Sequence, residues 1–266
     1  MNIRNKTWFV GNSQLITSLI NAYGSSEVRE QCGLDWKNKR VSRGHFTANH
    51  NVYKFLTCGL DVFGYPTVNQ GQVRYSDSCM EFVQCVDKDA KNIIIMLRGI
   101  EYAKESIVDT PKYDFSFSKN LARQGRQFVR QNDILKYYET IINPIIATCI
   151  LYRANYPDSK CYYVAAPPPI ESEPHIIKNP EVFGDLISQH GVRPFYLRLK
   201  IYEYMHAILM GKLNNINVGM VGAPASALTL LGGMREDHAH GCLHGNNLYG
   251  QALMALLERE VLYASL

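Results

Sequence analysis

Thr7-Trp8-Phe9-Val10-Gly11-Asn12-Ser13-Gln14 runs from strand-forming residues through a glycine turn into a segment with Leu15, Ile16, Leu19, Ile20 and Tyr23 at helical spacing. The stretch predicts a strand, a tight turn and a helix in immediate succession, with Ser13 at the junction. The same alternation recurs along the chain. Residues 92–97 (Asn-Ile-Ile-Ile-Met-Leu) read as a buried strand closed by Arg98-Gly99, and 161–165 as another, ended by Pro167-Pro168-Pro169. Residues 52–60 could hold a further strand, and 217–221 a short one before Gly222 and Pro224.

Between these strands, 134–155 has the apolar spacing of a long helix with Pro144 as a kink or break, and 196–213 is helical in pattern. A last helix is expected over 247–262, with Tyr249, Leu253, Leu256 and Leu257 on one face. Residues 104–118, with Pro111, Tyr113, Phe115 and Phe117, read as a long loop. The polar stretch around Trp36, with Lys37, Lys39, Arg40 and Arg43, reads as a solvated loop. Strands alternating with helices predict an α/β fold: a mainly parallel sheet covered on both sides, with reactive groups at the carboxyl ends of its strands.

The 266 residues are 46% hydrophobic and 20% charged, with no repeat and no linker, which fits one domain over 1–266. The net charge of +4 is dispersed and no reader motif accompanies it, so nucleic acid is not an expected partner. Apolar runs such as 93–97 fall far short of the ~20 residues of a membrane span. Residues 1–6 have no apolar segment behind them, and the seven cysteines are odd in number with no CxxC pair. Together these features suggest a reduced, cytoplasmic setting.

The candidate chemistry lies at the two ends. Ser13, leaving a strand and opening a helix, would be an exposed nucleophile beside helix-start N–H groups, although serine and asparagine also cap helices. His244-Gly245-Asn246-Asn247-Leu248-Tyr249-Gly250 puts a histidine before the final helix, where it could take and return a proton. Asp237-His238-Ala239-His240 adds a carboxylate that could orient that base; three histidines within seven residues also invite a metal reading, but no zinc pattern is matched and no cofactor is expected. Gly99 could lend an N–H to an oxyanion, whereas an ionised Glu101 cannot donate.

These residues resemble the SGNH hydrolase family of GDSL-type esterases and lipases. Gly11-Asn12-Ser13 is similar to its Gly-Asp-Ser block, with Asn for Asp. Gly99-Ile100-Glu101 is similar to its Gly-x-Asn block, with Glu replacing the oxyanion-hole Asn. Two registrations of the Asp-x-x-His block compete: Asp237 with His240, or His244 within a His-Gly-Asn-x-x-Tyr-Gly variant of one bacterial branch, where Gly241 stands at the Asp position. Tyr113-Asp114-Phe115 and the triple proline also resemble that branch, and Gly71 is a candidate for the second-block glycine. The resemblance implies a flavodoxin-like three-layer α/β/α sandwich. It further implies an acyl-enzyme on Ser13, His244 as base with His240 as the alternative, Asp237 as orienting carboxylate, and an oxyanion hole from Ser13 and Gly99 at which Glu101 replaces the usual donor.

The function these residues suggest is a serine esterase removing a small acyl group, such as acetyl, from a carbohydrate or similar hydroxyl. An O-acyltransferase acting on a glycan would use the same serine and histidine. A non-catalytic binding protein on a degenerate scaffold is the alternative from another class.

Overall fold

The computed structural model describes residues 6–59, 66–70, 72–117 and 125–262. Six strands form its main sheet: β1 (Thr7–Gly11), β2 (Ser42–Ala48), β3 (Asn51–Thr57), β4 (Asn92–Met96), β5 (Lys160–Val164) and β6 (Gly219–Val221). Their spatial order is β6-β5-β4-β1-β3-β2, all parallel except β2, which pairs antiparallel with β3 at the edge. β1 and β4 are buried at every residue, as strands covered on both faces must be.

Helices form the two outer layers of a three-layer α/β/α sandwich. On one face α1 (13–23) packs with the last helix and with α2 (Ser26–Lys37). On the other, α4 (Glu101–Ser106), α5 (Gln131–Ile141) and α6 (Asn143–Asn155) gather around a long helix that follows β5, and α3 (Asp77–Gln84) packs on α6. Between β5 and that long helix lie α7 (Glu173–Lys178) and α8 (Gly184–His190); the long helix is α9 (Phe195–Asn215) and the last is α10 (Asn247–Leu257). After β1 the chain moves to β3 on one side, then returns to β4 on the other. That reversal opens a crevice beyond the carboxyl ends of β1 and β4, where open parallel sheets bind ligands.

Several elements differ from the sequence reading. The stretch around Trp36 is the end of helix α2 and the start of edge strand β2, with Lys39 and Arg40 exposed in the connection between them as expected. β2 is joined to β3 by a two-residue turn at Asn49 and His50, both at positive φ (47° and 65°). Such turns match the twist of the strands they join. The segment was hard to read because only Cys32 and Asp35 of α2 are buried, so its apolar face is nearly silent. Arg43 is not simply solvated: its guanidinium lies 5.0 Å from the Trp8 ring centroid and pairs with Asp87 at 3.1 Å.

The expected 104–118 loop begins as the end of α4, and within it Tyr113–Phe115 pairs in parallel with Gln127–Val129. The 134–155 helix is two helices divided at Ile142, with Pro144 in the first turn of α6, where its missing N–H costs nothing. Taken together, Gln131–Asn155 is long and apolar enough to cross a membrane by length and composition, a property that the count of consecutive apolar residues passed over. In the fold α6 packs on β5, and both helices pack on α9.

Candidate active site

Ser13 is the first residue of α1, directly beyond β1, and Asn12 holds the cap position without a side-chain cap bond. The turn is pinned by Asn12 N–H donating to the Met96 carbonyl at 3.4 Å. It also needs a glycine at position 11, because a Cβ there would lie 2.7 Å from Leu15 Cβ and 3.1 Å from Met96 Cβ. Ser13 N–H belongs to the first turn, whose amides have no intrahelical acceptor.

His244 stands on a short ribbon in which Ala239–His240 pairs antiparallel with His244–Gly245. Its Nε2 lies 2.9 Å from Ser13 Oγ, across 231 residues of sequence. Each defined position of the His-Gly-Asn-x-x-Tyr-Gly stretch has a physical role in that approach. A Cβ on Gly245 would lie 2.4 Å from the Tyr249 ring, and one on Gly250 would lie 2.4 Å from the Ser18 carbonyl oxygen of α1. Asn246 caps α10, its Oδ1 accepting from Leu248 and Tyr249 N–H, while its Nδ2 donates to the carbonyls of Asp237 and Ala239. The ribbon, the helix start and α1 are thereby locked together.

Asp237 is not beside His244. Its exposed carboxylate is gripped by Arg235, at 3.0 and 2.8 Å, and by His238 Nδ1 at 2.8 Å. Those partners hold its carboxyl well below the usual carboxylate range. His240, the alternative base, is exposed on the ribbon opposite His244. The carboxylate facing His244 is Glu181, with Oε1 3.8 Å from Nδ1, within ion-pair reach and longer than a hydrogen bond. Its Oε2 accepts from Cys242 N–H at 3.1 Å and from Cys242 Sγ–H at 3.2 Å. Burial would raise the Glu181 pKa, but His244 and the two Cys242 donors outweigh it and hold the carboxyl below its ordinary value. Burial, with the same carboxylate beside it, pushes the Cys242 thiol up.

Gly241, where the motif resemblance expects Asp, has a steric reason. A Cβ on Gly241 would lie 2.2 Å from Glu181 Cδ and Oε1, so Glu181 fills the space that a side chain at 241 would take. The carboxylate has come from another segment of the chain. No spacing rule links residue 181 to residue 244, and the readable sign was the glycine itself. Glu181 sits at φ +49°, a left-handed conformation costing a non-glycine residue about 1–3 kcal/mol. Further support comes from His175, whose Nε2 donates to the Gly241 carbonyl at 3.0 Å and ties α7 to the ribbon.

The predicted oxyanion residues are arranged otherwise than expected. Gly99 has φ +101°, and a Cβ there would lie 2.6 Å from the Tyr163 hydroxyl, so only glycine fits. Its N–H is already engaged, donating to Glu101 Oε2 at 2.8 Å, while Arg98 Nε donates to Glu101 Oε1. Gly99 and Glu101 therefore satisfy each other and do not present a donor pair. Gly71, the second-block candidate, lies outside the described residues.

A cavity of about 320 Å³ lies over these groups, lined by Asn12, Ser13, Gln14, Arg98, Ile100, Glu101 and His244. It sits at the reversal point of the sheet, with walls from the ends of β1 and β4 and from the His244 ribbon. Among the described residues, no group of three His, Cys, Asp or Glu side chains is placed to hold a metal ion.

No family model matches the sequence, and no curated protein matches it. Among solved structures, the periplasmic domain of a lipopolysaccharide acetyltransferase from Salmonella ser. Paratyphi A aligns with a TM-score of 0.49 at 11% identity, over 97% of this chain and 84% of that one. A phospholipase A1 from Streptomyces albidoflavus NA297 aligns with a TM-score of 0.47 at 11% identity, over 96% and 99%. An acetyl xylan esterase from Butyrivibrio proteoclasticus aligns with a TM-score of 0.37 at 12% identity, over 97% of this chain and 64% of that one.

Proposed function

We propose that this protein is a serine-dependent ester hydrolase acting through an acyl-enzyme on Ser13. The observation that carries the reading is the 2.9 Å contact of Ser13 Oγ with His244 Nε2, backed by the Glu181 carboxylate on the far side of the same ring. An Nε2 that accepts from the serine requires the proton on Nδ1, the nitrogen facing Glu181. Glu181 thus favours the productive tautomer and stabilises the imidazolium that forms.

Ser13 Oγ attacks the acyl carbon as its proton passes to His244 Nε2, and the carbonyl π electrons move onto oxygen. When that oxyanion collapses, the bond to the alcohol breaks and the alcohol takes the proton from His244. Water then repeats the sequence, releasing the acid and restoring Ser13. The modest cavity, with Ile100 in its wall, favours a small acyl group such as acetyl. A carbohydrate or similar hydroxyl compound is the alcohol we propose, since the sequence shows no lipase-like apolar lid.

Turnover of p-nitrophenyl acetate by the intact protein and by Ser13→Ala tests the assignment. Hydrolysis by the wild type should fall to background in the variant, with labelling of Ser13 by a fluorophosphonate. Equal turnover by both proteins would remove Ser13 from the chemistry.

A further inference from the structure

An acyl-transfer site needs donors for the oxyanion, and the two residues best placed by motif do not provide them, since Gly99 N–H is engaged by Glu101 and Glu101 only accepts. A different donor stands beside the nucleophile. Gln14, the second residue of α1, is 5% exposed and lines the cavity with Ser13 and His244. Its Oε1 accepts the N–H of Gly245, next to His244, at 3.4 Å. A backbone N–H can only donate, so this contact fixes the carboxamide with its oxygen toward Gly245 and its nitrogen the other way. That nitrogen, Nε2, is buried and makes no hydrogen bond within the protein.

Buried amide donors are ordinarily satisfied. Among the described residues several buried polar atoms lack a hydrogen-bond partner, and of these only Gln14 Nε2 and His244 Nδ1 belong to residues that line the cavity. From the unmet donor at the buried Nε2, the place of Gln14 among the residues that line the cavity and the loss of Gly99 and Glu101 as donors, we infer that Gln14 Nε2 donates to the acyl oxyanion, together with the N–H of Ser13. The inference rests on the acyl-enzyme reading of Ser13. Gln14 then has two functions in one side chain: its oxygen ties the base's ribbon to the nucleophile's helix, and its nitrogen serves the reaction.

Gln14→Glu keeps the acceptor for Gly245 and nearly the same volume while removing the N–H donors. With p-nitrophenyl acetate, kcat should fall by about 10²-fold or more with KM little changed, the size found when one oxyanion donor is removed. Fluorophosphonate labelling of Ser13 should slow in parallel, because the adduct's oxygen occupies the same place. A variant with wild-type kcat, or one altered in KM alone, overturns the role of Gln14 and leaves the acyl-enzyme reading intact. A wild type that neither hydrolyses the ester nor labels at Ser13 overturns that reading and this inference with it. Should the variant not fold, the side-chain amide resonances of Gln14 in the wild type give the result. A downfield shift on forming the phosphonyl adduct supports the donor role, and unmoved resonances reject it.

Discussion

At the scale of single residues, the relation between Glu181 and Gly241 is the most testable feature of the site. Glu181→Gln should lower kcat by about 10²- to 10⁴-fold, as loss of an orienting carboxylate does in comparable sites. Gly241→Asp should be inactive and unstable, because its side chain meets the Glu181 carboxyl group at 2.2 Å. Combined with Glu181→Gly, the same substitution should recover part of the activity lost by Glu181→Gly alone, since the carboxylate then comes from position 241. Additive losses in this cycle would show that the two positions do not share one space. The Glu181 carboxyl is also held below the ordinary glutamate value of 4.5, so its contribution to stability is present above that pH and lost as pH falls through the folded value. Acid titration of stability should therefore be flatter below about pH 4.5 in Glu181→Gln than in the wild type. Ser13 and His244 were readable because each adjoins a strand or helix boundary with distinctive chemistry. Glu181 was not, because a carboxylate that reaches a site from a distant segment leaves no local pattern.

At the scale of elements, the crossing of α1 and α10 sets the distance between Ser13 and His244. Gly250→Ala puts a methyl group 2.4 Å from the Ser18 carbonyl oxygen, and α10 must move outward to admit it. The expected cost is about 1–3 kcal/mol, read as a lower urea midpoint, with a drop in kcat as His244 moves away from Ser13. Asn246→Ala removes the cap of α10 and should cost about 1 kcal/mol by the same measurement. Helix α10 and strands β1, β4 and β5 were legible from their apolar patterns. Helix α2 and strand β2 were not, since one buries two side chains and the other lies at an edge with its outward residues in solvent. Where little apolar surface is buried, periodicity carries little signal.

At the scale of the whole molecule, the long connection from β5 to α9 must be held over the sheet for Glu181 to reach the ribbon. Arg198 does part of this from inside, its buried guanidinium donating to the carbonyls of Arg193, Ile170 and Glu171, with burial pushing its pKa down to about 10. Arg198→Met should destabilise the protein by about 3 kcal/mol or more in urea unfolding, because three carbonyls lose their donor. The parallel α/β plan was legible in the order of strands and helices. Which side of β1 each strand joins was not, because that depends on crossovers that no local pattern records.

The 231 residues between Ser13 and His244 also have a temporal meaning. A ribosome adding 5–20 residues per second needs roughly 10–50 s to pass from one to the other. Throughout that interval the nascent chain carries Ser13 without His244. On the proposed acyl-enzyme reading, Ser13 is an ordinary alcohol until His244 has been made and the last helix has docked, so a chain truncated before His244 should be unreactive toward esters.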